Sequence, residues 1–461
     1  MPKVYNRTVL KNIVEKAATQ RVDIVGIYNS EGLQGGNGWD TAVQESLNTT
    51  YGVYATAAYS FLENKALGAG VGYWDSSTSN KVVQYIANSG LGTATGSQVT
   101  TAAAHLLQHM NWSSAPTADV GPVWPLHVTS SQSLTTPTGL QINESSVIPV
   151  NDALTFNFWG VNNDPESGGS IKPILRRANA PFTSLYNFPT IGYLGTAGSI
   201  RKTTYNLAAA TRNYPIEFRT HEGWNPATMS GPLFLTYMRA ARTNKTNGIA
   251  MSPFYSMGGR SAYDMYMCLN AFPQTSWDHY FDVLTEYQGA TKANHCAVFD
   301  IYEGSNQTSE TNVAAGAPVQ GTPAHVNNYV WYMQQLVAII EAKWTASGRD
   351  VSNIAFRMTC SHPVNAPATE SPLITYRSAL KSQLRFNAQE QRVCLVDYSE
   401  ITTLGDMVTA GYFSDTIHLT RAGYLALDTL SWSEILAASS NTLFRPGISS
   451  PVSVFNIDDF L

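Results

Sequence analysis

Five short apolar runs recur along the chain: Val22–Ile27, Gly248–Tyr255, Cys296–Tyr302, Ile354–Thr359 and Val393–Tyr398. Continuous apolar stretches of this length, bounded by turn residues, read as strands buried on both faces. Amphipathic stretches lie between them. Arg7–Gln20, Trp39–Leu47, the segment after Ser261 through about Leu269, Val326–Ser347, Leu373–Ala388 and Ala422–Ala438 read as helices. Strand and helix alternate, which predicts an α/β fold: a doubly wound parallel sheet with helices on both faces.

The texture changes between Ser113 and Asn247, where Pro, Ser, Thr and Gly clusters separate short alternating runs. Leu154–Val161, Ser170–Arg176, Ser199–Leu207, Tyr214–Thr220 and Pro232–Arg239 read as strands there, and their spacing predicts an inserted β-sandwich-like domain. Its aromatics Phe156, Phe158, Trp159, Tyr186, Phe188 and Trp224 fit a sandwich core better than a sugar-stacking face. Tyr51–Tyr59 and Leu67–Ser76 carry no clear assignment. The expected organisation is an α/β domain in two parts, 1–112 and 248–443, split by a β-rich domain over 113–247 and followed by a tail, 444–461.

Composition narrows the class. The chain has 461 residues, 43% hydrophobic and 13% charged, which suits a folded protein with a polar, weakly charged surface. A net charge of −5 without basic blocks argues against nucleic acid. No apolar run approaches the roughly 18 residues of a membrane span. Met1–Gln20 patterns as an amphipathic helix and not as a secretory signal. This leads to the expectation of a cytoplasmic protein or one built into a particle or surface assembly. Cys268, Cys296, Cys360 and Cys394 have neither zinc nor CxxC spacing and are expected as buried free thiols. His105 and His109 sit at i and i+4 but lack a third ligand, so no metal is expected.

The chemistry concentrates in Gly411–Tyr424, GYFSDTIHLTRAGY. Asp415 and His418 lie on a loop that feeds a helix, with Thr420 placed to cap it. An Asp that orients a His is two thirds of a nucleophile–His–Asp triad. The third member is sought at Val22–Gln44, where an apolar strand ends in a polar, glycine-rich loop carrying Ser30.

These stretches resemble the SGNH (GDSL-like) hydrolase superfamily. The first block of that family, Gly-Asp-Ser with a Gly-rich loop, is matched by Tyr28-Asn29-Ser30 and Gly35-Gly36-Asn37-Gly38-Trp39. Its last block, Asp-x-x-His, is matched by Asp415 to His418 with the continuation Leu-Thr-Arg-Ala-Gly-Tyr. The second and third blocks correspond to Gly258-Gly259-Arg260-Ser261 and Gly304-Ser305-Asn306-Gln307, each after an apolar strand. All four occur in the family's order. Three positions depart from the pattern: Tyr28 and Asn29 replace Gly and Asp, and Gln307 replaces Asp.

The resemblance implies a flavodoxin-like sheet and acyl transfer without a cofactor. Ser30 would be the nucleophile, His418 the general base and Asp415 its orienting acid. The oxyanion would be held by the backbone N–H groups of Ser30 and Gly259 and by the Asn306 amide. Arg260, beside the oxyanion glycine, and His362, near the edge where such loops gather, are assigned to substrate contact. The implied activity is that of a serine esterase removing an acyl group, acetyl in the first instance, from a carbohydrate. The alternative is a silent SGNH scaffold serving as a glycan-binding or structural component of a virion or surface assembly, with homo-oligomers or a larger assembly as its setting.

Overall fold

The computed structural model describes residues 4–32, 38–59, 152–162, 200–209, 233–256, 259–271, 274–318, 326–386 and 392–437. It also describes the strand segments 62–63, 83–85, 91–93, 126–128, 139–142, 171–175, 186–187 and 216–220. His105, His109, Phe188, His221, Trp224, Gly258 and the 444–461 tail lie outside the described residues.

The strand Arg21–Tyr28 is central. Gly248–Ser256 and Ala297–Glu303 flank it, both parallel to it. Ile354–Cys360 and Val393–Val396 continue the parallel sheet beyond Ala297–Glu303. Counted in chain order, these five strands lie in the order 2-1-3-4-5, which is flavodoxin-like. The chain leaves the central strand to one side and later crosses to the other. Loops at the carboxyl ends of the central strand and of Ala297–Glu303 therefore diverge and open a crevice.

Side chains explain why these strands read as unbroken apolar runs. On Arg21–Tyr28, Val22, Ile24 and Tyr28 enter one core with residues of the helices Arg7–Glu15, Trp39–Tyr51 and Arg421–Leu436. Val25 and Ile27 point the other way, into a core with Ala262–Ala271, Gln274–Gln288, Val326–Ala346 and Pro367–Phe386. A strand covered on both faces has no polar side to show.

The sheet does not stop at the parallel strands. Val4–Tyr5 closes one edge antiparallel to Val393–Val396. At the other side Val53–Tyr59 pairs parallel with Gly248–Ser256, and Leu233–Arg242 pairs antiparallel with Val53–Tyr59. Leu154–Asn162 and Ile200–Leu207 add further antiparallel strands to the same sheet. A second, wholly antiparallel sheet holds residues 186–187, 171–175, 216–220, 139–142 and 83–85 in that order.

Two features of the expected insertion change accordingly. Part of its β-structure is hydrogen-bonded into the main sheet. Its pairing also reaches back before residue 113, because Val83–Tyr85 and Leu91–Thr93 pair with Gly139–Ile142 and Leu126–Val128. Hydrophobic alternation locates strands but carries no information on which sheet each one joins.

A buried ionic cluster ties the sheet to the last helix. Arg357 donates to Asp300 at 2.6 and 2.8 Å, and also to Asp428 and to Ser431. Tyr28 donates its hydroxyl to Asp300 at 2.7 Å. The guanidinium stacks 4.5 Å from the Trp432 ring and 5.4 Å from that of Trp39. Arg357, Asp300 and Asp428 are fully buried, so the cluster pins the middle of Arg421–Leu436 to the sheet. That helix starts three residues after His418.

Candidate active site

The strand ends deliver the predicted residues to one edge. Ser30 follows Tyr28, Gly259 follows Ser256, Asn306 follows Glu303 and His362 follows Cys360. The loop carrying Asp415 and His418 comes to the same edge from beyond the last strand.

Ser30, His418 and Asp415 form a continuous chain of hydrogen bonds. The Asp415 carboxylate accepts a hydrogen bond from His418 Nδ1–H at 2.7 Å. That leaves Nε2 to accept from the Ser30 hydroxyl at 2.9 Å. Asp415 Oδ1 also accepts the backbone N–H groups of Ile417 and His418, each at 2.7 Å. Partial burial works against the Asp415 charge, but the His418 ring and these amides outweigh it and hold the carboxyl below its usual value. The loop closes on itself through Ser414 N–H to the His418 carbonyl at 2.9 Å and Thr420 N–H to the Tyr412 carbonyl at 2.7 Å. Thr420 caps the following helix, its hydroxyl accepting Gly423 N–H at 3.2 Å.

Gly259 has φ of +70°, a left-handed conformation that glycine adopts without strain. A Cβ built there meets nothing within 4 Å, so the requirement is conformational and not one of space. Asn306 Nδ2 donates to the Arg260 carbonyl at 3.1 Å, which joins the second and third loops. The Arg260 side chain is a quarter exposed and faces Asp264 at 3.7 Å.

Beneath these loops lies Glu303, fully buried at the end of its strand. Burial pushes its carboxyl up to about 8, against the opposing pull of donors from Gly304, Asn29, Gln307 and Asn306. Its Oε1 accepts Asn306 N–H at 3.2 Å and Gln307 N–H at 3.3 Å, so it shapes the turn that presents Asn306. Asn29 accepts Glu31 N–H at 2.9 Å and donates to Ser305 Oγ at 3.3 Å.

Glu303 gives one departure from the family pattern a physical reason. Asp at position 29 would place a second carboxyl in the same buried space, whereas the neutral amide of Asn29 both accepts and donates there. Gln307 meets Glu303 through its backbone N–H, and its side-chain Oε1 accepts Tyr263 N–H at 3.3 Å. Tyr28, in the place of the family's glycine, spends its hydroxyl on Asp300.

Glu31, next to the serine, is also fully buried, and burial pushes its carboxyl up to about 7. It accepts the Tyr424 hydroxyl. His362 does not lie where substrate contact would require. It is wholly buried, and burial pushes its ring down to about 3, so it is neutral. His362 Nε2 donates to the Ile417 carbonyl at 2.8 Å, and Nδ1 accepts from Tyr302.

Sequence reasoning missed Glu31, Glu303 and Tyr302. The available signal was an acid closing the apolar run AVFDIYE and another directly after Ser30. His295 is buried and bonded to Thr285 at 3.0 Å and Asp23 at 3.4 Å. All four cysteines are buried free thiols. Among the described residues, no three His, Cys, Asp or Glu side chains are grouped to hold a metal ion. Nor is any described helix long and apolar enough to cross a membrane.

The α/β fold, a parallel sheet in flavodoxin-like order with helices on both faces, has counterparts among solved structures. A solved structure described as "Peptidoglycan O-acetylesterase in action" superposes with a TM-score of 0.50 at 10% identity, covering 93% of each chain. A member of the lipolytic G-D-S-L family from Veillonella parvula aligns over 40% of this chain and 79% of its own, with 11% identity and a TM-score of 0.26. A carbohydrate esterase family 2 enzyme with a carbohydrate-binding domain, from Corynascus thermopiles, aligns over 70% of this chain and 96% of its own, with 13% identity and a TM-score of 0.27. No protein-family model and no curated protein matches the chain by sequence.

Proposed function

We propose that this protein is a serine esterase of the SGNH type that removes acetyl groups from a carbohydrate through an acyl-enzyme. The observation that carries the reading is the unbroken chain from Ser30 Oγ through His418 to Asp415 at the carboxyl edge of the sheet.

Ser30 Oγ attacks the ester carbonyl while His418 Nε2 takes its proton. The imidazolium that forms is stabilised by Asp415 and returns the proton to the departing sugar hydroxyl. Water then repeats the sequence on the acyl-serine. The developing oxyanion is assigned to Ser30 N–H, Gly259 N–H and the second amide proton of Asn306, the first being taken by the Arg260 carbonyl. Arg260 is assigned to substrate contact.

The sugar half of the proposal rests on the fold shared with a peptidoglycan O-acetylesterase and on the β-rich segment. We assign 1–112 and 248–443 to the hydrolase, 113–247 to an inserted β-rich domain for glycan contact, which Val83–Tyr85 and Leu91–Thr93 join by their pairing, and 444–461 to a tail.

The test is hydrolysis of p-nitrophenyl acetate and of O-acetylated polysaccharides by wild type and Ser30→Ala. The wild type should release acetate, and the alanine variant should lose at least about 1000-fold in kcat. A wild type that releases no acetate and resists fluorophosphonate labelling at Ser30 rules the reading out.

A further inference from the structure

The two peptide groups that flank His418 are each held by a buried side chain. The carbonyl of the preceding peptide, on Ile417, accepts His362 Nε2–H at 2.8 Å. The N–H of the following peptide, on Leu419, donates to the Tyr424 hydroxyl at 3.2 Å. We propose that His362 and Tyr424 are positioning residues: a two-sided clamp that fixes the backbone of His418 and so aims Nε2 at Ser30.

Each jaw is itself locked. His362 accepts from Tyr302 at Nδ1, while its own backbone N–H donates to the Tyr302 hydroxyl at 2.9 Å. This fixes the tautomer, with the proton on Nε2 where the Ile417 carbonyl needs it. The neutral ring adds no charge beside His418. Tyr424 in turn donates its hydroxyl to Glu31, the residue after the serine. The nucleophile's chain and the histidine's chain are thus joined through one phenol, with Glu31 and Tyr424 both fully buried.

The clamp supplies what the loop lacks. Asp415 is 54% exposed and His418 22%, so the histidine is not held by burial of its own side chain. Internal bonds from Asp415 set the shape of the turn but not its place relative to the sheet. His362 comes from the end of Ile354–Cys360 and Tyr424 from the first turn of the last helix, both rigid elements. Positioning from such elements is what a tolerance of about 0.5 Å and 10–20° requires.

The clamp deepens the esterase reading and rests on it for its effect on rate, but its geometry has an independent readout. The His418 Nδ1 proton shared with Asp415 gives a low-field proton resonance, assignable by its loss in His418→Gln. It should be present in wild type and in His362→Gln, whose amide can still donate to Ile417. It should broaden or vanish in His362→Leu and Tyr424→Phe. Those two variants should lose about 100-fold in kcat with KM within about twofold, and His362→Gln should recover most of the loss.

A resonance and a kcat left unchanged in both His362→Leu and Tyr424→Phe overturn the clamp. If His362→Leu does not fold, Tyr424→Phe decides alone, because it removes one oxygen and no volume from the core. If the wild type hydrolyses no ester while the resonance responds as expected, the esterase reading falls and the clamp stands.

Discussion

Asn29 and Glu303 show how a single buried acid dictates its neighbours. The Asn29 side chain has to accept from Glu31 N–H and donate toward the Ser305–Glu303 side at once, which an amide does and a carboxylate does not. Asn29→Asp should therefore destabilise the protein and slow it, with most of the loss recovered when Glu303→Gln is added. The coupling between the two sites in a thermal-denaturation cycle is expected at about 1–3 kcal/mol, and additive behaviour would contradict it. None of this was legible in the sequence. Asp415, His418 and Ser30 stood out because residue type and spacing carry their chemistry. Glu303 and Glu31 did not, because a single acid at a strand end has no periodicity and its burial depends on loops arriving from elsewhere.

Among the elements, the last helix does the most to place the site. Gly423 packs its first turn against the preceding loop so closely that an added Cβ would sit 2.7 Å from the Tyr412 carbonyl oxygen and 2.9 Å from Tyr412 Cβ. That close approach is what lets Tyr424 reach Leu419 N–H. The Ala-Gly-Tyr after Asp-x-x-His is thus a packing requirement, readable as a motif but explained only by the contact. Gly423→Ala should cost about 1–3 kcal/mol in stability, and its fall in kcat should exceed any rise in KM, since the displaced loop carries His418.

The parallel strands were legible element by element because burial on both faces leaves no polar alternation to misread. Gln274–Gln288 was not anticipated, although Trp277, Tyr280, Phe281 and Leu284 form a helical stripe that is buried throughout. Its aromatics have middling helix propensity and the segment lacks a strong cap signal. Helix Pro367–Phe386 begins before the expected Leu373, with Pro372 accommodated inside it.

For the whole molecule, two predictions follow from buried charge. Arg357 holds Asp300 and Asp428 where no water reaches them. Arg357→Met leaves both carboxylates without their cation and should cost about 3–5 kcal/mol, measured by denaturant unfolding. The second concerns pH. Glu31 and Glu303 have folded values raised to about 7 and about 8 from 4.5. The native state therefore keeps protons that the unfolded chain releases above about pH 4.5. Stability from this source is complete below that value and is lost as pH rises through 7 to 8. The thermal midpoint of the wild type should fall between pH 5.5 and pH 8.5 more steeply than that of Glu303→Gln. Equal slopes would show that Glu303 ionises normally.

Val53–Tyr59 and Leu233–Arg242 lie side by side and antiparallel, with Tyr59 opposite Met238. The chain therefore departs for its long β-rich excursion and returns from it at neighbouring points on the sheet. That is the geometry of a socket. Apart from Leu62–Glu63 and Leu154–Asn162, which pair with Gly248–Ser256 and Leu233–Arg242, what is plugged in between residues 60 and 232 has only to bring its two ends together, and the order of the five parallel strands that carry the site does not depend on it. A different segment that closes the same two ends should therefore seat on this sheet edge and leave the strand ends that carry Ser30, Asn306 and His418 where they are.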